Sequence, residues 1–303
     1  MRCCRRSKPN STCASNALPQ PPRKPPWLKV QLPRGEAYEH VKANVKRLDL
    51  HTVCQEAMCP NLGECWGAGT ATIMILGDTC TRGCHFCNVK TGSPKGEVDW
   101  LEPKRVAEAV AELGWNYLVL TAVDRDDLAD GGATIFANTV RQIHKKSPGS
   151  KVECLTGDFA GDLAALDIVL DAQPEVLAHN LETVARLQAS VRDRRATYKQ
   201  SLAILEHAKQ SGKVRYTKTS LMLGLGETEA EIEQAMDDAR AIGVDIFTMG
   251  QYLQPTKRHL TVVEFVTPEK FARLRDLGIS KGFRQVVSSP LSRSSYHAEQ
   301  AFA

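Results

Sequence analysis

Two features are missing from this sequence of 303 residues, and each absence argues against a class of protein. No apolar run approaches the roughly 20 residues that a membrane-spanning helix needs, which excludes a transmembrane helix. No sustained run of Lys and Arg is interleaved with aromatic residues, which make up only 6% of the chain. Because the formal net charge of +4 is spread along the sequence, the composition gives little support to nucleic-acid binding.

Acidic residues are absent from the first 26 positions, which are rich in basic residues, Ser and Pro. Such a segment buries too little apolar surface to order itself, so residues 1–26 are predicted to be a disordered leader. A basic, acid-poor composition is also found in transit peptides, although this segment is short and contains several prolines. The expected location is therefore the cytoplasm, or a mitochondrion or plastid if the leader is a transit peptide.

The overall composition, with 42% hydrophobic and 24% charged residues, is typical of a soluble globular protein. Ten cysteines could indicate the disulfides of a secreted protein, but six of them fall in two groups between positions 54 and 87. Such clustering is typical of metal ligation in a reducing compartment. The other four are interpreted as free thiols in the leader (Cys3, Cys4 and Cys13) and as a small buried hydrophobe (Cys154).

The central motif of the sequence is CxxxCxxC, formed by Cys80, Cys84 and Cys87 after the apolar run 72–77. Three cysteines with this spacing at the end of a strand can direct their thiolates toward an iron–sulfur cluster. A four-iron cluster held by three cysteines leaves one iron open for a substrate or cofactor. The alternative is a zinc site, but zinc sites usually close with four ligands and favour CxxC pairs.

A second cysteine triad, with the spacing CxxxxCxxxxxC, precedes this motif by only fifteen positions. It consists of Cys54, Cys59 and Cys65, and Pro60 and Gly63 supply the tight turns that let the thiolates converge. Two neighbouring triads with different spacing predict two clusters with different roles.

After Cys87, short β-rich runs alternate with helical stretches, a pattern that predicts a parallel sheet wound with right-handed crossovers. With the run 71–76 there are about six strand–helix units. Polar motifs follow the strands, where barrel enzymes build their active sites, so we predict an α/β barrel or partial barrel. The predicted strands are 71–76, 117–123, 151–156, 176–181, 217–225 and 246–253. The predicted helices include 103–113, 134–146, 196–211, 229–242 and 268–277.

Several polar segments that follow strands are candidate binding loops. The carboxylates of 124–132 could accept hydrogen bonds from an ammonium group, although a solvated acidic loop explains any single aspartate as well. Residues 179–182 carry three polar side chains that could reach a ribose or a carboxylate. The Gly-rich run 223–228 suits packing against an apolar or adenine-like group better than a phosphate. The serine-rich tail 292–298 is either plain surface or the source of a fourth, hydroxyl ligand.

Together these segments resemble the lipoyl synthase family of radical S-adenosylmethionine (SAM) enzymes, from residue 24 to Ala298. The resemblance implies a partial (β/α)6 TIM-like barrel of the radical SAM type at 71–282. It also implies an N-terminal extension with an auxiliary cluster motif at 27–70 and a C-terminal extension with an RSSY motif at 283–303. Besides both triads, the motifs that carry it are 77–81 (GDTCT), 124–132, 179–183 (HNLET), 223–228 (LGLGET), 250–255 (GQYLQP) and 293–296 (RSSY).

The resemblance further implies two [4Fe-4S] clusters and SAM as cofactors. One cluster, held by Cys80, Cys84 and Cys87, would bind SAM at its open iron and cleave it to a 5′-deoxyadenosyl radical. The auxiliary cluster would donate sulfur to C6 and C8 of a protein-bound octanoyl-lysine, giving the lipoyl cofactor. Its implied ligands are Cys54, Cys59, Cys65 and Ser295, with Ser294 as the rival hydroxyl. The residues implied to bind SAM are Asp126, Asp127, Asn180 and Glu182.

The partners implied are octanoylated carrier domains (2-oxoacid dehydrogenase E2 subunits and the glycine cleavage H protein), a ferredoxin or flavodoxin reductant, and iron–sulfur assembly proteins. Two other readings stay open: a radical SAM sulfur-inserting enzyme that acts on a small molecule or RNA, and a non-catalytic zinc module. The chain departs from the family pattern at Ala178, Ser289 and Ser292, none of which is an implied ligand.

Overall fold

The computed structural model describes residues 24–30, 35–67 and 71–295. Most of the predicted disordered leader, including Cys3, Cys4 and Cys13, lies outside the described residues. So do residues 296–303 of the predicted C-terminal extension.

The described residues form ten strands and ten α-helices. The strands are β1 (His51–Thr52), β2 (Thr72–Ile75), β3 (Thr79–Cys80), β4 (Lys90–Thr91), β5 (Tyr117–Ala122), β6 (Lys151–Leu155), β7 (Val176–Ala178), β8 (Tyr216–Leu223), β9 (Ile246–Gln251) and β10 (Gln285–Ser288). The helices are α1 (Glu36–Arg47), α2 (Val53–Glu56), α3 (Leu62–Gly67), α4 (Glu102–Leu113), α5 (Ala133–Lys146), α6 (Leu163–Leu170), α7 (Gln188–Val191), α8 (Tyr198–Ser211), α9 (Glu229–Ala241) and α10 (Pro268–Ser280).

Eight strands form one sheet in the order β1-β2-β5-β6-β7-β8-β9-β10. β1 is antiparallel to β2, and the other neighbours are all parallel. Six of the parallel strands are each followed by a helix of the barrel. The strands are β2, β5, β6, β7, β8 and β9, and the helices that follow them are α4, α5, α6, α8, α9 and α10, respectively. This arrangement confirms the predicted six-unit partial barrel. β10 adds a seventh parallel strand, although by number it falls in the predicted C-terminal extension. Among the described residues, edge strands β1 and β10 do not pair, so the barrel is open.

Local sequence signals account for most helix boundaries. α4 and α10 begin with prolines in the first turn, and the Thr267 side chain accepts a hydrogen bond from the Lys270 N–H. α9 begins with a capping box, in which Thr228 and Glu231 satisfy each other's backbone N–H groups. Helix α6 is absent from the sequence prediction because its residues, LAALDIVL, are almost uniformly apolar and show no polar face.

The inside of the barrel contains a buried ion pair. The Lys218 ammonium donates to both carboxylate oxygens of Glu153 at 3.0 Å, and the Tyr117 hydroxyl donates to the same carboxylate at 2.6 Å. Glu153 is fully buried and Lys218 is 3% exposed. Because each buried charge has a partner, β5, β6 and β8 can converge without leaving an unsatisfied ion. The adjacent Cys154 is fully buried among apolar side chains, as expected for a small core residue.

The N-terminal extension packs on the β2 side of the barrel. α1 presents Val41, Val45 and the following Leu48 to the core, as its apolar spacing predicts. The Tyr38 ring lies 5.4 Å from the Trp66 ring of α3, which joins α1 to the helix that carries Cys65. No helix in the described ranges is long and apolar enough to cross a membrane.

Candidate active site at the carboxyl ends of the strands

Cys80, Cys84 and Cys87 lie in and between the two-residue strands β3 and β4, just beyond the end of β2. β3 and β4 pair in parallel and form a small separate ladder. The Gly92 N–H donates to the Cys80 carbonyl at 2.9 Å, and the Cys87 N–H donates to the Cys84 carbonyl at 3.1 Å. These bonds close the chain between the strands into one cysteine loop.

Arg82, inside the motif, is 3% exposed and joins the cysteine loop to two loops of the barrel. Its guanidinium donates to both oxygens of Asp126 (2.7–3.2 Å) and lies 2.7 Å from Asp158 Oδ1 and 3.8 Å from Asp124 Oδ1. Asp124 and Asp126 follow β5 and Asp158 follows β6. One buried cation therefore holds the motif against the carboxyl ends of two strands.

The charges around Arg82 shift one another's ionisation. Hydrogen bonds from Arg82 hold the pKa of Asp126 below its usual value. Burial alone would raise the pKa of Asp158, but hydrogen bonding to Arg82 keeps it low. Burial raises the pKa of Asp124 to about 6 against the attraction of Arg82. The arginine is thus flanked by ionised carboxylates, with a third that is poised to take up a proton.

Two further segments hold the cysteine loop from its other sides. After α7, the Asp193 carboxylate accepts from the Gly83 N–H at 2.9 Å, while its own N–H donates to Cys84 Sγ at 3.3 Å. From the segment between β9 and α10, His259 Nε2 donates to the Cys87 carbonyl at 3.0 Å. The loop is therefore held in place by residues that lie more than a hundred positions away in the sequence.

The thiols of this loop lie close together in a buried setting. Burial raises the pKa of Cys84 to about 11 and that of Cys87 to about 12. The Cys80 and Cys84 thiolates raise the pKa of Cys87 further by repulsion. A buried thiol such as Cys87, which its neighbours also disfavour as a thiolate, needs a positively charged group to ionise at neutral pH, so this donor set fits an iron–sulfur cluster.

Cys54, Cys59 and Cys65 lie in α2, just after α2 and in α3. The Cys59 N–H donates to the Cys54 carbonyl at 3.1 Å, and the Cys65 N–H donates to the Asn61 carbonyl at 2.8 Å. Burial raises the pKa of the Cys54 and Cys59 thiols, and the Cys59 thiolate raises that of Cys54 further. The second triad thus offers the same kind of donors in a similar setting.

Direct contacts place this second triad beside both the first cysteine loop and the C-terminal tail. Asn88, next to Cys87, donates from Nδ2 to the Glu56 carbonyl of α2 at 2.9 Å. Asn61 donates from Nδ2 to the Leu291 carbonyl at 2.7 Å. The segments that carry the two triads are therefore in contact, and the tail segment at Leu291 contacts the second of them.

Ser294 and Ser295, the two candidate hydroxyl ligands, follow directly in this tail and are half-buried. Two of the departures from the family pattern lie just before them and contact each other. The Ser289 and Ser292 hydroxyls are 2.7 Å apart, and Ser292 is 1% exposed. Gly250 makes room for this turn, because a Cβ there would collide with the Ser292 carbonyl.

Asn180 and Glu182, predicted to bind SAM, are brought next to the first triad. Asn180 Nδ2 donates to Glu182 Oε1 at 3.2 Å, and the Glu182 carboxylate raises the pKa of the Cys84 and Cys87 thiols. Asn180 Oδ1 is buried and accepts no hydrogen bond within the described part of the chain. The Glu182 backbone has a left-handed φ of 65°, a strained conformation that tends to occur at functional sites.

Asp126 and Asp127 are held differently, although they are adjacent. The Asp126 carboxylate is taken up by Arg82, as described above. The Asp127 carboxylate pairs with Arg125 at 2.8 Å and accepts from the Gly96 N–H at 2.7 Å. Their contacts as SAM ligands stay a prediction. Asp124, which the sequence does not single out, lies nearer the thiols and raises the pKa of Cys80 and Cys84.

His179 is a core residue. Its two ring nitrogens lie 2.9 Å from the Thr156 carbonyl and 2.9 Å from the Ser201 hydroxyl, and it is 2% exposed. Burial lowers its pKa to about 4, so the ring is neutral at physiological pH. His179 therefore does not supply one of the three polar side chains predicted to reach a ligand, and Asn180 and Glu182 remain candidates.

The zinc alternative requires ligands that converge on one ion. Across residues 24–30, 35–67 and 71–295, no group of three or more His, Cys, Asp or Glu side chains is close enough to hold a single metal ion. Each cysteine of a [4Fe-4S] cluster binds a different iron, so the thiols of a cluster site need not converge on one atom.

Sequence reasoning missed the side chains that hold the first loop, including Arg82, Asp158, Asp193 and His259. Three of them sit in polar loops after strands, where barrel sites are built, but their partners are distant in sequence. Arg82 was visible as the one cation inside the cysteine motif. Nothing in the sequence around Arg82 predicts that it is buried among aspartates.

Comparisons with known proteins show the family of this chain. The sequence model of the radical SAM superfamily matches residues 74–239, and the N-terminal domain of lipoyl synthase matches residues 11–59. The chain is 58% identical to lipoyl synthase of Thermus thermophilus over 290 residues, covering 95% of this chain and 90% of that protein. It is 55% identical to mitochondrial lipoyl synthase of Candida albicans, covering 92% of this chain and 73% of that protein.

Solved structures agree on the fold. Methylornithine synthase superposes with a TM-score of 0.55 at 14% identity, covering 84% of this chain and 72% of that one. The [FeFe]-hydrogenase maturase HydG gives a TM-score of 0.55 at 14% identity, covering 71% of this chain and 51% of that one.

An open parallel barrel with a buried CxxxCxxC loop at its carboxyl end, matched by the superfamily's own sequence model, is a radical SAM enzyme. Within that class, the chain belongs to the lipoyl synthase family. It is a sulfurtransferase of lipoate biosynthesis that uses SAM and [4Fe-4S] clusters. Its substrate is an octanoylated carrier protein.

Proposed function

We propose that the two triads divide the reaction between them. Cys80, Cys84 and Cys87 hold the cluster that binds SAM, and Cys54, Cys59, Cys65 and Ser295 hold the auxiliary cluster that supplies sulfur. The observation that carries this division is the hydrogen bond from Asn88, beside Cys87, to the Glu56 carbonyl in the helix that contains Cys54. It holds together the chain segments that carry the two triads, and the transfer of sulfur to a carbon radical requires the two clusters to be close.

When bound, the clusters supply the electron that cleaves SAM and the sulfur that is inserted at C6 and C8 of the octanoyl chain. The protein's own groups orient the reactants. The Glu182 carboxylate acts electrostatically on the Cys84 and Cys87 thiols and is hydrogen-bonded to Asn180. Glu182 and the free Asn180 Oδ1 can accept hydrogen bonds from the SAM ribose or ammonium group. Asp126 and Asp127 support that pocket through Arg82 and Arg125.

Ser295 is the proposed fourth ligand of the auxiliary cluster. The tail that carries it is hydrogen-bonded to Asn61, between Cys59 and Cys65. A hydroxyl oxygen is a harder and weaker partner for iron than a thiolate, so this corner opens more readily than a cysteine corner. A cluster that gives up its own sulfur benefits from such a corner.

We also propose the partners and the location. The carriers are 2-oxoacid dehydrogenase E2 subunits and the glycine cleavage H protein, the reductant is a ferredoxin or flavodoxin, and iron–sulfur assembly proteins rebuild the spent cluster. The proposed location is the cytoplasm, with a mitochondrion or plastid as the alternative. The relatives from Candida albicans and Populus trichocarpa are described as mitochondrial and chloroplastic, respectively.

Anaerobic reconstitution with iron and sulfide tests the ligand assignment. We expect about eight irons per chain, and about four in the triple variant in which Cys80, Cys84 and Cys87 are Ala. The reconstituted protein should add two sulfur atoms to an octanoyl-lysine peptide when given SAM and a reductant. A wild-type chain that binds no more than four irons would contradict the two-cluster assignment.

The matched pair Ser295→Ala and Ser294→Ala tests the fourth ligand. Only Ser295→Ala should lower the iron content of the auxiliary site and the yield of lipoyl product, because Ser295 is the proposed ligand. Ser294→Ala is the matched control, since it removes the same hydroxyl group one residue earlier. If Ser294→Ala has the larger effect, the ligand is Ser294.

A further inference from the structure

The first cysteine loop reaches the protein surface between its cysteines. Gly83 and His85, on either side of Cys84, are exposed. The proposed cluster of this loop needs one electron from outside the protein for each SAM that it cleaves. A donor must bring its redox group close to the cluster, and the exposed residues of the loop that carries the ligands offer a short route to it.

The chain between β9 and α10 lies against the second half of this loop. His259 Nε2 donates to the Cys87 carbonyl at 3.0 Å, and the next N–H along the chain donates to the His85 carbonyl at 3.4 Å. The turn just before these contacts carries Lys257 and Arg258, which are both exposed. Neither cation forms an ion pair with any residue that the structure describes, so both charges are available to a partner.

The segment after α7 lies against the first half of the loop. Asp193 accepts from the Gly83 N–H at 2.9 Å, and Arg195 donates to the Thr81 carbonyl at 2.7 Å. These two residues also pair with each other at 2.9 Å, so the carboxylate is neutralised. Arg194, between them, is exposed and has no ion-pair partner in the described ranges. With the two cations of the preceding segment, three unpaired positive charges border the loop.

We propose that this cationic rim (Arg194, Lys257 and Arg258) is the docking surface for an acidic electron-donor protein that reduces the SAM cluster. The inference rests on the proposed function and assigns a surface to its reductant. Exposed, unpaired cations attract a partner of opposite charge and speed its association. Both segments of the rim are bonded to the loop that carries the SAM cluster ligands, which favours the donor over the carrier. The carrier must instead deliver its octanoyl chain between the two proposed clusters.

The step at this surface is the transfer of one electron. The reduced donor is oxidised by one electron and the SAM cluster is reduced by one. That electron then breaks the C5′–S bond of SAM, which gives methionine and the 5′-deoxyadenosyl radical. No group other than the electron crosses the surface, so the contact can be small and transient, as encounters between electron-transfer proteins usually are.

The test reduces the same reconstituted enzyme in two ways, with an acidic flavodoxin in its hydroquinone form or with excess dithionite. The rate of 5′-deoxyadenosine release is measured in the presence of SAM and an octanoyl-lysine peptide. The double variant Lys257→Glu/Arg258→Glu is compared with the matched control Arg141→Glu/Lys145→Glu. Both control residues are exposed, have no ion pair among the described residues, and lie in the last two turns of α5. That end of the helix leads to the amino end of β6, at the opposite end of the barrel.

We expect Lys257→Glu/Arg258→Glu to lower kcat/KM for flavodoxin about tenfold at low salt, because reversed charges repel an acidic donor. Arg194→Glu should give a smaller loss, and the control should match the wild type. The difference should shrink at about 1 M salt, where the Debye length is only about 3 Å. With excess dithionite, all variants should release 5′-deoxyadenosine at the wild-type rate, because no docking is needed.

Three results would overturn the inference. The first is an unchanged kcat/KM for flavodoxin in Lys257→Glu/Arg258→Glu, and the second is an equal loss with dithionite, which would make the rim a structural element of the loop. The third is a raised KM for an octanoylated glycine cleavage H protein with no effect on flavodoxin, which would assign the rim to the carrier. A wild-type enzyme that releases no 5′-deoxyadenosine even with dithionite would refute the proposed function, and this inference with it.

Discussion

The two cysteine triads have similar buried thiols but are held by different parts of the molecule. The first lies in a loop fixed by the β3–β4 ladder, by Arg82, and by contacts from the chain after α7 and after β9. The second lies in two short helices and the turn between them, and it contacts the C-terminal tail through Asn61. The proposed SAM site is thus built into the barrel. The proposed site of the consumed cluster is built between chain segments that are distant in sequence.

The largest effect is expected for Cys84→Ala. Cys84 is the middle cysteine of the first triad and a proposed cluster ligand, and its thiol accepts from the Asp193 N–H. Without it the SAM cluster has only two protein ligands, so cleavage of SAM should be abolished along with all lipoyl product. The measurement is 5′-deoxyadenosine released in a reducing assay. Cleavage above background would break the assignment of the first triad.

Cys59→Ala should separate the two sites. The first cluster does not depend on Cys59, so SAM cleavage should stay measurable while no sulfur-containing product forms. Mass spectrometry of the octanoyl-lysine peptide and quantification of 5′-deoxyadenosine in the same reaction provide the two readouts. Lipoyl product from this variant would show that the second triad is not the sulfur donor.

Arg82→Gln tests whether the rigidity of the first site depends on its buried cation. Removing one partner of a buried ion pair typically costs about 3–5 kcal/mol, because the remaining charges lose their compensation. We expect a loss of stability of that order in denaturant unfolding, and weaker retention of the first cluster. Arg82→Lys keeps the charge but lacks the forked N–H groups of the guanidinium that bind both oxygens of Asp126. Its stability should therefore lie between those of the wild type and Arg82→Gln. Wild-type stability in Arg82→Gln would show that the aspartates find other partners.

The comparison also shows what the sequence could and could not predict. The spacing of both triads and the alternation of strands and helices are local patterns, and the structure confirms the alternation. The groups that hold the first loop could not be predicted, because Arg82 meets Asp126 and Asp158 over 44 and 76 positions of sequence. Which residues pair over such a distance depends on the fold of the barrel and not on the local sequence around either residue.

The separate roles of neighbouring aspartates also could not be predicted from the sequence. Asp124, Asp126 and Asp127 look alike in sequence, yet one lies near the thiols, one binds Arg82 and one binds Arg125. The direction of each carboxylate depends on the backbone turn after β5, which composition does not specify. Residue type therefore identified the loop as part of the site but could not assign roles within it.

Asn61→Ala should have the smallest effect of these substitutions, and it tests directly how firmly the tail is attached. The substitution removes the 2.7 Å hydrogen bond to the Leu291 carbonyl, and a buried hydrogen bond of this kind contributes about 1 kcal/mol. SAM cleavage should be unchanged, because the first loop makes no use of this bond. Removal of iron from the auxiliary site by a chelator should be faster, since the tail that carries Ser295 is less firmly attached.

Ser280→Ala is a suitable control, because it deletes a hydrogen bond of 2.7 Å to the Leu277 carbonyl at the end of α10, away from both triads. If both variants lose iron at the wild-type rate, attachment of the tail does not limit cluster opening. The contrast between the two sites would then lie in their ligands alone. Faster loss only in Asn61→Ala would place the difference in the segments that hold them, because both variants lose one hydrogen bond of the same length.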